Sequence, residues 1–173
     1  MDMVLNVEGV LYTSCDRRIL KEAGIVDVEE SLARVSLFQR LDKRDVRSLA
    51  RLVREQEYTA GQVILQAGQP GLGLFVIAEG AAEVIRGNQV INRLGAGDFF
   101  GEMSLLDDLT RTADVRALEA TRCLTLSKWE FLGELESHPQ MALSLLPMLS
   151  RRIRAAEDRV DHLLGELGRN SPA

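Results

Sequence analysis

From Gly61 to Gly101, never more than seven residues separate one glycine from the next. Gly61, Gly68, Gly71, Gly73, Gly80, Gly87, Gly95 and Gly97, with Pro70 among them, leave no room for a helix of ordinary length. The pieces between them are β-prone. Strands are expected at 62–66, 74–79, 81–86 and 89–94, and two more at 112–118 and 122–127. Gly87-Asn88 separates VIR from QVINRL as a two-residue hairpin turn. Many short strands at regular spacing exclude a βαβ sheet and leave a sandwich or a barrel.

The flanks follow a helical period. Residues 1–26 carry little pattern and read as an arm. Asp27 with Glu30 forms a capping-box variant ahead of an apolar face of Leu32, Val35 and Phe38. Asp42 is placed to cap a second helix, whose apolar positions are Val46, Leu49, Ala50 and Val53. Helix returns near Lys128, where Trp129 and Phe131 are expected to anchor it on the strands. Ser137 and Pro139 mark a fresh start, and Pro147 is expected to kink the helix or divide it. Beyond it, Leu149, Ile153, Ala156, Val160, Leu163 and Leu167 alternate spacings of four and three. That is a heptad seam, read as a dimer contact over 149–167 or as a helix packed on its own domain. The chain thus divides into an arm (1–26), a strand-rich body with helices (27–147), a long C-terminal helix (148–168) and a tail (169–173).

With 173 residues, 46% hydrophobic and 27% charged, the chain is long enough for one domain with its own core. No apolar run reaches a membrane span, and MDMVLNVEG is not a signal peptide. A net charge of −5 argues against general affinity for nucleic acid. Cys15 and Cys123 form no spaced pair and, with two histidines, suggest no metal site. They read as free thiols of a cytoplasmic protein.

The chemistry concentrates in LGAGDFFGEMSLLDDLTRTA, residues 94–113. Gly95 and Gly97 permit a tight turn, and Gly101 removes a side chain where a ligand approaches the backbone. Glu102 to Leu106 is long enough for one helical turn, whose first N–H groups have no internal partner. Arg111 can return over that turn with a planar fork of donors suited to phosphate oxygens. Ser104 and Thr112 add hydroxyls. Glu102 would repel phosphate but can accept a sugar hydroxyl. Together these features suggest a nucleotide with a compact phosphate. The alternative is a surface loop in which Arg111 pairs with Asp107, Asp108 or Glu102.

This segment resembles the phosphate-binding cassette of the cyclic-nucleotide-binding domain family. The matching residues are Phe100, Gly101, Glu102, Met103, Ser104, Leu105, Arg111, Thr112 and Ala113. The likeness extends through AGQVILQAGQPGLGLFVIAEGAAEVI and covers about residues 30 to 167. It implies a mainly β fold: a jelly-roll-like β-roll (a double-stranded β-helix) with N-terminal helices and a long C-terminal helix. It also implies roles. Arg111 would hold the exocyclic phosphate oxygens with the backbone around Ser104 and the hydroxyls of Ser104 and Thr112. Glu102 and the Gly101 backbone would take the ribose 2′-hydroxyl. Val84 and Ile91 would lie against the base, the long helix would cover it, and Arg152 stands at a base-facing position.

The chain departs from the family pattern in places. Ala156 stands where activators of the catabolite type carry a hydroxyl that reads adenine, and Thr110 replaces a common proline. Thr112 resembles members that accept cGMP, although cAMP binders also carry threonine there. The implied ligand is cAMP or cGMP, cAMP being the commoner. No helix-turn-helix pattern follows the long helix, so no direct DNA binding is expected. No metal, membrane or catalytic role is expected either. The resemblance therefore implies a stand-alone receptor that regulates a protein effector, as a homodimer. The other reading left open is a nucleotide-independent dimeric scaffold on the same fold.

Overall fold

The computed structural model describes residues 4–5, 11–12 and 25–169. Strands β1 (Val4–Leu5) and β2 (Leu11–Tyr12) pair antiparallel with each other. The rest of the expected arm up to residue 24 lies outside the described residues. Helix α1 (Ile25–Arg34) opens ahead of Asp27, so Asp27 and Glu30 stand inside it rather than at its cap. Helix α2 (Lys43–Ala50) starts as the sequence predicts. The carboxylate of Asp42 accepts the backbone N–H groups of Arg44 and Asp45, each at 2.8 Å.

Eight strands follow and form two four-stranded antiparallel sheets. In the first, the order is β3 (Arg54–Tyr58), β10 (Thr121–Ser127), β5 (Gly73–Glu79) and β8 (Phe99–Phe100). In the second it is β4 (Val63–Leu65), β9 (Asp114–Ala117), β6 (Ala81–Arg86) and β7 (Gln89–Gly95). Strands distant in sequence lie side by side, so the chain winds between the sheets as a β-roll. A one-turn helix, α3 (Met103–Leu106), interrupts the strands.

The pleat divides the core in two. Side chains alternate across a strand, and on β5 both faces are apolar. Leu74 and Val76 point to the helices, where they meet Leu32, Val35, Phe38, Leu49, Phe131 and Met141. Ile77 and Phe75 point between the sheets, with Ala82, Leu94, Phe100, Val115 and Cys123. Strand β10 repeats the pattern: Leu124 and Leu126 face the helices and Cys123 the interior. The cassette sits at one end of this roll because β8 leads directly into α3.

Helix α4 (Lys128–Ser137) is held by a full capping box. Ser127 Oγ accepts the Glu130 N–H at 3.3 Å, and the Ser127 N–H donates to Glu130 Oε2 at 2.9 Å. Phe131 is fully buried, as expected, but Trp129 is 79% exposed and anchors nothing. The reason is the helical period: residues two apart do not share a face. Helix α5 runs unbroken from Gln140 to Arg169, so Pro147 does not divide it and the helix begins eight residues before 148. Pro147 cannot donate to the Leu143 carbonyl. Both residues lie on the exposed side, where water can satisfy that carbonyl. Among the described residues no helix is long and apolar enough to cross a membrane.

Candidate functional site

Gly101 ends β8 with φ +89, a conformation that L side chains rarely adopt. A Cβ there would stand 2.7 Å from Arg111 Nη1 and 3.0 Å from the Gly73 carbonyl oxygen. The absence of a side chain at 101 is therefore what admits the arginine. Glu102 then begins α3 without a side-chain cap of its own.

Arg111 is nearly buried, at 6% exposure. Its Nη1 donates to the Gly101 carbonyl at 2.5 Å and to Ser104 Oγ at 2.7 Å, and its Nη2 donates to the Gly73 carbonyl at 2.7 Å. All three acceptors are neutral. Its backbone is clamped as well: the Arg111 N–H donates to the Gln69 carbonyl and the Gly68 N–H to the Arg111 carbonyl, both at 2.8 Å. The guanidinium Nε is buried and has no hydrogen-bond partner. Burial pulls this guanidinium below its ordinary pKa, and the nearby Glu102 carboxylate opposes the shift. A rigid cation with a buried, unanswered N–H is suited to an anion.

The acids named in the surface-loop alternative are engaged elsewhere. Asp108, which adopts φ 57, pairs with Lys128. Asp107 Oδ1 accepts the Leu109 N–H at 3.0 Å. Glu102 is 1% exposed and pairs with Arg152 Nη1, which reaches it from α5. Ser104 is buried, with its hydroxyl accepting from Arg111 and donating to the Gly101 carbonyl at 3.4 Å.

The structure thus brings together Gly101, Glu102, Ser104, Arg111 and Arg152. Met103 and Thr112 are exposed beside them, and Ala113 is buried. Val84 and Ile91 lie in the second sheet. Val84 is partly buried against the inter-sheet cluster, and Ile91 stands where the β6–β7 register shifts. Two participants escaped the sequence reading. Gly73 supplies the carbonyl that holds Nη2. Gly71 backs Ser104 so closely that a Cβ at 71 would stand 2.6 Å from Ser104 Cβ. The available signal was the dense run Gly68-Gln69-Pro70-Gly71-Leu72-Gly73.

Chemically, the arrangement offers a fixed fork for an oxyanion and a buried carboxylate able to accept from a hydroxyl. Among the described residues no group of three His, Cys, Asp or Glu side chains is placed to hold a metal ion.

A family model for the cyclic nucleotide-binding domain matches residues 55–138. The chain is 36% identical over 155 residues to Glutaminase 2 of Bradyrhizobium diazoefficiens, a match covering 86% of this chain and 25% of that protein. It is 34% identical over 142 residues to the Cyclic AMP receptor protein of Thermus thermophilus, covering 79% of this chain and 66% of that one. The solved structure of the Thermus thermophilus Catabolite Activator Protein matches with a TM-score of 0.68 at 33% identity, over 74% of this chain and 62% of that chain. The chain thus spans only part of the length of each of these proteins.

Proposed function

Because the chain belongs to the cyclic nucleotide-binding domain family, we propose that it is a receptor for a 3′,5′-cyclic nucleotide, cAMP ahead of cGMP. The observation that carries this reading is Arg111, buried, held by three neutral acceptors and left with an unpartnered Nε–H. A surface ion pair would need none of that preparation. The name of the Thermus relative supports cAMP as the ligand.

In this reading the cyclic phosphate lies against Arg111, the N-terminal end of α3 and Thr112. The ribose 2′-hydroxyl donates to Glu102, whose Oε1 pairs with Arg152 and whose carboxylate can accept from both. Val84 and Ile91 contact the base, and α5 covers it. The ligand moves α5 only to the extent that it binds the closed arrangement better than the open one. The output passes from α5 to a protein effector in the cytoplasm. Two copies pair through residues 149–167. The role is binding and regulation rather than catalysis, since the buried Ser104 hydroxyl faces a guanidinium instead of a base.

The test is calorimetric titration with cAMP and cGMP in parallel, on protein unfolded and refolded to strip retained ligand. Saturable binding at micromolar concentration or tighter is expected for one of them. No heat with either nucleotide at millimolar concentration would leave the nucleotide-independent scaffold as the reading.

A further inference from the structure

The three most exposed large apolar side chains among the described residues are Trp129 at 79%, Leu72 at 75% and Leu109 at 64%. They come from three separate segments: the start of α4, the β4–β5 connection and the loop after α3. All three nevertheless line one groove of about 530 Å³, with Pro70, Asp108 and Lys128 in its walls. Apolar residues scattered singly over a surface need no explanation, whereas apolar residues gathered in one place mark an interaction site.

Each of the three is held in place by its backbone. The Leu72 carbonyl accepts the Lys128 N–H at 2.9 Å. A Cβ at Gly71 would stand 2.3 Å from Ser104 Oγ, and one at Gly73 2.9 Å from the Leu126 carbonyl oxygen. Both neighbours of Leu72 are therefore pressed against the roll. The Leu109 N–H donates to Asp107 Oδ1 at 3.0 Å, and the next residue, Thr110, bridges to Pro70. Trp129 stands in the first turn of α4, which the capping box fixes. Anchors ordered before a partner arrives lower the entropy cost of binding, and tryptophan is among the side chains that carry most interface energy.

The charges at the groove select what covers it. Lys128 is spent on Asp108 and stands 5.9 Å from the centroid of the Trp129 ring. The Asp108 side chain is 76% exposed, and Asp107, exposed beside it, commits one carboxylate oxygen to Leu109. Two carboxylates thus face one ammonium here, on a chain of net charge −5. A complementary partner brings positive charge. Arginine suits both surfaces, since its guanidinium stacks on an indole and forks onto a carboxylate. An anionic lipid surface would be repelled, and a second copy paired symmetrically would set the same carboxylates against each other. We propose that this groove docks a partner protein through a segment that combines large apolar side chains with arginine or lysine. The groove lies off α5 and is not lined by Arg111 or Glu102, so the proposal stands apart from the receptor reading.

Trp129 is the only tryptophan of the chain, so its fluorescence reads the groove directly. In the free full chain, acrylamide should quench it as readily as tryptophan in solution, at every protein concentration. Emission shielded at all concentrations would mean that the chain fills its own groove, and shielding that grows with concentration would mean that a second copy does; either overturns the proposal. Selection of short random peptides against the full chain should enrich sequences that pair large apolar residues with arginine or lysine. Resynthesised, these peptides should shift Trp129 emission to the blue. They should bind Leu72→Ser and Leu109→Ser about tenfold or more weakly than wild type. Asp107→Asn, which keeps the oxygen that holds Leu109 and loses the charge, should weaken them about threefold. These side chains are exposed, so urea unfolding of each variant should stay near wild type. No enrichment, enrichment of acidic sequences, or peptides that bind Leu72→Ser and Leu109→Ser as well as wild type overturns the proposal.

Discussion

Arg152 and Glu102 lie fifty residues apart in the chain and meet as an ion pair, with the carboxylate 1% exposed and the guanidinium side chain 43% exposed. The pair is asymmetric. Glu102 depends on Arg152, because a carboxylate withdrawn from water needs compensation. Arg152 depends much less on Glu102, because solvent already reaches it. Arg152→Ala should therefore destabilise the ligand-free protein by about 1–3 kcal/mol, below the full cost of breaking a buried pair because one partner is half in water. Adding Glu102→Gln should recover most of that loss, since it removes the stranded charge. Urea unfolding of the three variants measures both steps. An Arg152→Ala protein as stable as wild type would mean that the carboxylate has another source of compensation.

Arg111 makes the opposite kind of contribution. Its Nη atoms are spent on Gly101, Ser104 and Gly73, so the side chain is fixed before any ligand arrives. Arg111→Ala should cost about 1.5–3 kcal/mol in cyclic-nucleotide affinity, the range for a hydrogen bond to a charged group. Arg111→Lys should be nearly as weak. An ammonium on a flexible stem cannot satisfy the Gly73 and Gly101 carbonyls together while presenting a donor to phosphate. Calorimetry of the two variants beside wild type reads the difference. Affinity retained by Arg111→Lys would show that charge alone, without the fork, is enough.

Gly71 tests whether the cassette is braced from behind. A Cβ there would stand 2.3 Å from Ser104 Oγ, 2.6 Å from Ser104 Cβ and 2.9 Å from the Ser104 carbonyl oxygen. Two of those atoms belong to the root of the side chain or the backbone and cannot rotate aside, so α3 must shift. Gly71→Ala should cost about 1–3 kcal/mol of stability, as overpacking does. It should also weaken nucleotide binding, because Ser104 holds Arg111. Gly61→Ala is the control. With φ +81 and nothing within 4 Å of its Cβ, it carries backbone strain and no clash. Its effect should appear in denaturant unfolding but leave nucleotide affinity near wild type.

The strands of the second sheet were the most legible part of the fold. Strand β6 occupies the expected 81–86, and the Gly87-Asn88 turn joins it to β7. Both strands carry apolar residues bounded by glycine. Strand β3 was missed because REQEY is charged and exposed along most of its length. It is an edge strand, a place where charged side chains discourage further pairing, and only its register with β10 makes it a strand. At the site, Gly101, Glu102, Ser104 and Arg111 were legible because motif and chemistry agree there. The Gly73 carbonyl was not, because every residue has a carbonyl and no residue type announces its use. The Glu102–Arg152 pair was not legible either. It depends on where α5 crosses the roll, a long-range fact that no local spacing encodes.

Cys123 gives a prediction that depends on the core alone. It is fully buried on β10, between β3 and β5, and faces the inter-sheet cluster. Burial pushes its thiol up to about 12. An unfolded thiol ionises near about 8.5. The folded state therefore keeps a proton that the unfolded state releases as the pH rises. The stabilisation is fully present below the unfolded value and is lost as pH climbs from there toward the folded one, at up to about 1.4 kcal/mol per pH unit. Tyr58, raised by its own burial first and by Cys123 second, adds in the same direction at higher pH. In a Cys15→Ser background, urea unfolding should show stability falling from about pH 8.5 upward. Cys123→Ala should flatten that fall until tyrosine ionisation begins. A disulfide-exchange reagent should label Cys123 only at the rate of unfolding. Rapid labelling of the native protein, or an alkaline slope untouched by Cys123→Ala, would show that water reaches the thiol and that the two sheets do not seal this part of the core.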